Sequence, residues 1–524
     1  VSVNLAGILL IVPTKARGLS NLKAVAVALA GSLISILLFR LPFWSGPMYG
    51  DDYLLVNGAH QPVDSSGIIG DFFLVGGGKW RPLNTPLLLF LARRFGFSYR
   101  PYQIVNLALL VMCCTVVGLM VWIVCRTLLV TLLSSVCIGA SCFTWLGQIS
   151  VYGVLEFSAV LIALLAVAVE LHSSVRGDAE GKKIYAAVGL VLSATFIHER
   201  MLILAFLFGA FHLLKRRRLS LALTYFSIPM IHVVLKGFFF QLDAAQTGGE
   251  SNLQQVKGLW IIRHLIDGVG AILGMNSGSG VFYSDGTISR FARSADLGFI
   301  GASPVILVAL LVMVIGFGKS RSSRFYEWMA VPSLLLALAI GALIPASLVI
   351  QRIEGRWLFF PQALLVVGLF TWVGTLSLSG KLAALRLCLI GLLTVAFLCP
   401  SIYYRTKSGS FTFIRDQPSL MIADVFAKAP VKGPWVLVLG SSDPASPFQW
   451  QMGYTRAFEQ LPNPPIKTVW GNDHQDCPRM SRPLPCLIAI AANGSLRSRV
   501  EILYVAPSEE PADRNGSDHQ GGKT

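Results

Sequence analysis

Two adjacent carboxylates stand in the run Tyr49-Gly50-Asp51-Asp52-Tyr53, shortly after the apolar stretch 21–41. Neighbouring acids repel, and the repulsion raises the pKa of one of them toward neutrality. A carboxylate poised in this way can take a proton from an acceptor hydroxyl while its neighbour holds a partner group. The pair reads otherwise as the hydrophilic start of a loop. Farther along comes Gly76-Gly77-Gly78-Lys79-Trp80-Arg81-Pro82-Leu83. Its two cations bracket an aromatic side chain. Lys79 and Arg81 can hold a phosphate with Trp80 as platform, or the segment is an interfacial aromatic belt with ordinary flanking bases.

Three further segments carry ionisable groups. Glu156 lies inside an apolar run, about six residues or ~9 Å from its end. An intramembrane acid faces the bundle interior, as part of a site or as the partner of a buried Arg. His198-Glu199-Arg200 interrupts the apolar stretch 184–214 and reads either as self-paired structure or as part of a site. The late segment Gln351-Arg352-Ile353-Glu354-Gly355-Arg356-Trp357 places two arginines in a short loop between apolar runs.

Apolar helices must position these groups. The chain has 524 residues, 54% hydrophobic and 13% charged, with mean hydropathy +0.65. A soluble domain carries about a quarter of its residues as charges, so lipid is the solvent that fits this composition. Lys and Arg exceed Asp and Glu by 43 to 27, yet no basic stripe with interleaved aromatics occurs, which excludes nucleic-acid binding. The bases collect at helix ends, where they set orientation and meet anionic headgroups.

Apolar runs at 21–41, 103–125, 128–148, 150–171, 219–240, 296–318, 328–350, 357–379 and 382–401 have the length of spanning helices. Breaking 184–214 at His198-Glu199-Arg200 into short spans 184–198 and 200–214 brings the total to about eleven. With the N-terminus inside, the short inward connections hold 16 Lys or Arg. Keeping 184–214 as one helix instead puts both Lys215–Arg218 and Lys319–Arg324 outside, against the positive-inside trend. Outside then lie 43–102, 242–295 and everything beyond 401. On that face Arg352 and Arg356 break the trend, which makes them better anion-site candidates than Lys79 or Arg81.

The expected fold is therefore an all-α polytopic membrane protein. Apolar pieces near 68–75 and 83–92 form interfacial helices in the first outer loop. Residues 1–401 form the transmembrane domain and 402–508 a small α/β extracytoplasmic domain, with a helix over 418–428 and a buried strand at Trp435–Leu439. Residues 509–524 are disordered. Seven of the nine cysteines lie in apolar runs and act as packing residues. Cys477 and Cys486 lie in the polar tail, where an oxidising compartment permits a disulfide that their Pro-rich spacing does not enforce. No CxxC zinc pattern occurs. The N-terminus lacks a basic segment before its first apolar stretch, so the first span is expected to be an uncleaved anchor.

This pattern resembles the membrane-embedded glycosyltransferases of the GT-C class, the clan of protein O-mannosyltransferases, the lipid A aminoarabinose transferase and bacterial arabinofuranosyltransferases. Those proteins carry an acid pair in the first outer loop, as Asp51-Asp52 stands here. Several have a Trp/Arg-Pro-Leu element like Trp80-Arg81-Pro82-Leu83, then an aromatic-Arg-Pro like Tyr99-Arg100-Pro101. Their middle hairpin often reads Ser-Lys-Glu; here it is Ile197-His198-Glu199-Arg200, without the Lys. Glu354-Gly355-Arg356-Trp357 looks like a late Glu-Arg-Tyr element with one residue inserted. The resemblance covers residues 20–400 by architecture, with only the first loop matching as a motif.

The resemblance implies transfer of a sugar, with inversion, from a polyprenyl-phosphate donor to a glycan, lipid or protein acceptor at the non-cytoplasmic face. Asp51 or Asp52 would deprotonate the acceptor. Arg352, Arg356, Lys79 and Arg81 would bind the donor phosphate. Tyr53, Trp80, Glu156, His198, Glu199 and Arg200 would line the site. No metal is expected, although an acid pair can hold a divalent ion. The expected location is a bacterial inner membrane, with the C-terminus extracytoplasmic. An O-antigen polymerase or ligase is the alternative of the same class, and a lipid-linked-sugar transporter or flippase the alternative from another. Polymerases place their key loop late in the chain, and transporters put charges at the midplane with repeat symmetry.

Overall fold

The computed structural model describes residues 15–39, 75–76, 79–144, 147–148, 150–176, 183–214, 218–239, 258–273, 282–283, 333–344, 353–376, 382–406, 425–441, 461–470, 486–491 and 500–505. Asp52, Leu55, Val56, Val308 and Phe458 are described singly. By their contacts the residues form two units. One comprises 1–45 and 58–411, the other 46–57 and 412–524.

The first unit is mostly helical: α1 (Lys15–Phe39), α2 (Asn84–Phe95), α3 (Tyr99–Cys125), α4 (Leu128–Gly139), α5 (Gly153–Arg176), α6 (Lys183–Ile197), α7 (Leu202–Leu214), α8 (Leu219–Val234), α9 (Gly258–Ile272), α10 (Phe359–Gly374) and α11 (Leu382–Thr406). Among the described residues five helices are long and apolar enough to cross a membrane: Ser20–Phe39, Tyr99–Cys125, Gly153–Val175, Leu219–Gly237 and Arg356–Gly374. Three shorter apolar helices accompany them, and the chain is an integral membrane protein. Every residue of α10 is buried, whereas α1 is largely exposed, so α10 runs through the core and α1 along its edge.

Small residues let the first helices pack closely, as they do where lipid gives helix association no hydrophobic drive. A Cβ at Gly139 would fall 1.7 Å from Ser35 Oγ, so only glycine lets α4 meet α1 there. Ser32 and Thr115 hydroxyls meet at 3.1 Å between α1 and α3. The turn into α4 needs only Arg126 and Thr127, because Arg126 takes a left-handed conformation (φ 55°) and lays its guanidinium 5.6 Å from the Trp122 ring. α4 ends at Gly139, well short of the expected run 128–148. A 3-10 turn follows at Cys142–Thr144, with the Ser141 hydroxyl bonded to Gln362 of α10. Serine and threonine here bond locally to backbone and side chains instead of continuing the helix.

The stretch 184–214 breaks where its charges fall. His198 leaves the helix with extended backbone, its side chain accepts from the Arg200 N–H, and Glu199–Met201 form a 3-10 turn before α7. Two polar contacts fix the direction of α7. Glu156 near the start of α5 meets the turn residues. Glu170, about 21 Å farther along α5, meets His212 of α7 and Tyr225 of α8. α7 therefore returns along α5, and α6–α7 is a hairpin of two short helices. α8 continues past Val234 into a π-helical turn, Leu235–Phe239.

The connection 43–102 contains a short hairpin, β1 (Val75–Gly76) with β2 (Lys79–Trp80), followed by α2 over the second expected apolar piece. The second long connection, 242–295, contains α9 and β3 (Phe282–Tyr283). β3 pairs antiparallel with β4 (Ile353–Glu354), which leads through a 3-10 turn, Gly355–Leu358, into α10.

The second unit holds a four-stranded sheet of β5 (Val436–Ser441), β6 (Lys467–Trp470), β7 (Cys486–Ala491) and β8 (Val500–Val505), in the order β6-β5-β7-β8. β5 pairs parallel with β6 and β7, and β8 closes the edge antiparallel to β7. The run read as a buried strand is thus one of the two inner strands, beginning one residue later than expected. Trp435 before it is fully buried, and its ring N–H donates to the Asn463 carbonyl at 2.9 Å. Of the helix expected at 418–428, residues 425–428 are described and helical. Cys486 is disulfide-bonded. The seven cysteines of the apolar runs are free, and the one that remains by count, Cys477, lies outside the described residues.

Candidate functional site

Glu156 is the hub of the first unit's polar cluster. It sits in the first turn of α5, where a carboxylate is favoured by the helix N-terminus. One of its oxygens bonds the Arg200 guanidinium. The other lies 3.6 Å from Arg356 Nε and 3.9 Å from His198 Nε2. Arg200 stacks 5.4 Å from the centre of the Trp357 ring, so the turn before α10 supports it through a cation–π contact.

The second carboxylate, Glu199, receives Arg81. Arg81 Nε and one terminal nitrogen donate to its two oxygens at 2.8 and 3.0 Å, a bidentate pair. The backbone fixes the approach of this arm: Leu83 N–H donates to the Phe196 carbonyl at the end of α6, 3.5 Å away. His198 bridges the two pairs, with its Nδ1 3.7 Å from Glu199 Oε2.

The charge states follow from burial and neighbours. Burial pulls the Arg81 guanidinium down, but the charge and hydrogen bonds of Glu199 outweigh it, and Arg81 is raised. For Glu199, in the turn between the helices, burial pushes up, and Arg81 overrides it to hold the carboxyl well below its ordinary range. His198 is pushed well below its ordinary value by burial and then by Arg200 and Arg81, so it is neutral at pH 7. Among the described residues of this cluster, three guanidiniums thus face two carboxylates, a surplus of one positive charge in a region shielded from water. Of the three, Arg356 is the most exposed, at 29%, and its contact with Glu156 is the longest. A net positive charge in a largely buried, low-dielectric cluster is suited to an anion.

The structure therefore brings together Arg81, Glu156, His198, Glu199, Arg200 and Arg356. Of the other residues singled out from the sequence, Lys79 and Trp80 lie in β2, opposite Gly76 and Val75. Arg352, Asp51 and Tyr53 lie outside the described residues. Asp52 is described and fully buried, in the segment 46–57 that belongs with the second unit.

Several polar residues escaped the sequence reading. Lys236 is buried in the π-helical turn after α8, and His232, one turn earlier, lies within electrostatic reach of both Lys236 and Glu199. The signal was a lysine inside the apolar run 219–240, near its end. π-Turns occur often at functional sites. His264 and Asp267 of α9 are buried as well. Trp357 stood in the late arginine segment with nothing to mark it as the platform for Arg200. Among the described residues no three His, Cys, Asp or Glu side chains are placed to hold a metal ion.

No family model matches the sequence, and no curated protein matches it. Among solved structures, the crystal structure of ArnT from Cupriavidus metallidurans bound to undecaprenyl phosphate is similar at 13% identity, with a TM-score of 0.40, over 89% of this chain and 92% of that chain. At that distance the likeness assigns no activity to this chain.

Proposed function

We propose that the chain is a GT-C-type glycosyltransferase that moves a sugar from a polyprenyl-phosphate donor to a hydroxyl acceptor at the non-cytoplasmic face of the membrane. The observation that carries the reading is the cationic surplus of the Glu156–Arg200–Arg356 and Arg81–Glu199 cluster at one end of an apolar bundle. A lipid-linked sugar places its phosphate at that level while its tail remains in the hydrocarbon. Charge develops on the phosphate as the glycosidic bond breaks, and fixed guanidiniums in a dry site stabilise it with little reorganisation.

In this reading Arg356 contacts the phosphate, with Arg352 and Lys79 as further cations of the same outer face. Arg81 has its Nε and one terminal nitrogen engaged by Glu199 and positions the turn instead of touching the donor. Arg200 holds Glu156 in place. Asp51, with Asp52 beside it, takes the proton from the acceptor hydroxyl. Direct attack on the anomeric carbon then inverts its configuration. A monophosphate leaving group is served by the arginines, and no metal is invoked.

Titrating a synthetic polyprenyl phosphate into the detergent-solubilised protein and its Arg356→Gln variant tests the reading. Loss of a charge-assisted contact to the phosphate is worth about 1.5–3 kcal/mol, or roughly a 10- to 100-fold rise in Kd. Equal affinity in the two proteins would remove Arg356 from the donor site and leave its loop a helix connection.

A further inference from the structure

Two uncharged acceptor atoms flank the ion cluster, one beside each arm. Asn106 of α3 is buried, and its Nδ2 donates to the Ser150 carbonyl at 2.8 Å and to the Gln148 carbonyl at 3.4 Å. Those two bonds fix which way the carboxamide faces, and its Oδ1 has no partner among the described residues. The amide sits against the start of α5. A Cβ at Gly153 would fall 2.7 Å from Asn106 Nδ2 and 1.7 Å from the Gly147 carbonyl oxygen, so the glycine is what admits it. Glu156 lies one turn farther along the same helix.

The other is Asn84, the first residue of α2. Its backbone N–H donates to the Arg81 carbonyl at 3.0 Å, which ties it to the arm that holds Glu199. The side chain is buried, and its Oδ1 also has no partner among the described residues. The helix is entered through Leu83, which offers no side-chain cap, and Asn84 stands one position too late for that role. A buried acceptor without a donor is destabilising, and such atoms in folded proteins are satisfied by water or by a ligand.

We propose that Asn84 and Asn106 recognise the hydroxyl groups of the sugar carried on the donor phosphate. This inference rests on the glycosyltransferase reading and specifies what the site selects. A cationic centre with neutral acceptors on both flanks matches an anion linked to a ring of O–H donors. Carboxylates would offer the same acceptors but cancel the surplus charge that the phosphate needs; carboxamides do not. Each oxygen takes one hydroxyl proton in a hydrogen bond, and no covalent step is involved.

The test compares binding of three short-chain polyprenyl phosphates: unsubstituted, bearing a pyranose, and bearing a hydroxyl-free cyclohexyl group. Wild-type protein is expected to prefer the pyranose over the cyclohexyl compound by tenfold or more. Asn84→Ala and Asn106→Ala should each reduce that preference by about tenfold while leaving unsubstituted polyprenyl phosphate bound as before. Wild-type discrimination that persists in both variants overturns the inference and leaves the enzyme reading intact. Equal weakening toward all three compounds also overturns it, since the asparagines then hold only the fold. Wild-type protein that binds none of the three overturns the reading and the inference together. The wild-type comparison stands even if Asn106→Ala fails to fold, because absence of any pyranose preference is decisive by itself.

Discussion

Arg81 and Glu199 are the pair whose removal has the most calculable consequence. Their side chains are 13% and 11% exposed and share two hydrogen bonds. Breaking a buried pair by deleting one partner costs about 3–5 kcal/mol, because a charge stays behind without compensation, whereas replacing both partners with apolar groups is often close to neutral. The slight exposure brings the expected cost toward the lower end, about 2–3 kcal/mol. The two single variants are not equivalent. Arg81→Met leaves Glu199 facing a neutral His198, while Glu199→Gln leaves Arg81 with the charge of Glu156 still in reach and an amide oxygen to bond. Thermal midpoints in detergent should therefore fall most for Arg81→Met and less for Glu199→Gln. Arg81→Met/Glu199→Met should lie nearer wild type than Arg81→Met does. A double variant whose loss equals the sum of separate Arg81→Met and Glu199→Met losses would show two uncoupled side chains and refute the argument.

Other expectations rest on the same charges. Asp51→Asn should lower sugar transfer by about 10²–10⁴ while donor binding persists, with a smaller loss for Asp52→Asn; wild-type turnover in the double variant would leave the proposed reaction without its base. Because folded His198 is held well below 6.5, the folded protein binds fewer protons than the unfolded chain. Its contribution is whole above pH 6.5 and is lost as pH falls, by up to about 1.4 kcal/mol per pH unit; His198→Asn should flatten the fall in melting temperature below pH 6.5, and an unchanged slope counts against a neutral imidazole. An alkaline phosphatase fused after Ser408 should be active in cells and a fluorescent protein there dark, with the opposite result inverting the orientation.

Much of the helical frame is legible because it depends on local composition. The apolar runs name α1, α3, α5, α8 and α10, and the charges of His198–Arg200 mark the break between α6 and α7. Glu156 was legible because an acid in hydrocarbon must face other polar groups. Its partners were not. That Arg81 would reach Glu199, more than a hundred residues away, depends on how α2 and α6 approach, and no window of sequence contains that. α4 stopped early for a similar reason: the residues after Gly139 remain apolar, but Ser141 meets Gln362 of α10. Lys236 and the buried face of α9 were missed because a base near the end of a span, or an amphipathic segment in a loop, has the same composition whether it faces water or the bundle.

The two polar contacts along α5 also decide which parts of the protein can move. Sliding α7 by one turn would carry His212 about 5.4 Å from Glu170 and draw Arg200 off Glu156 in the same motion. Rotating α6–α7 about its own axis would lose both acids at once. The hairpin is thus bolted at top and bottom to one rail, with a single register in which both the Glu156–Arg200 and the Glu170–His212 contacts form. Elevator-like or rocking displacements of this hairpin would have to break both contacts. The loop bearing Arg356 meets Glu156 through the longer contact of 3.6 Å, and it is anchored separately, by Trp357 against Arg200 and by the pairing of β3 with β4.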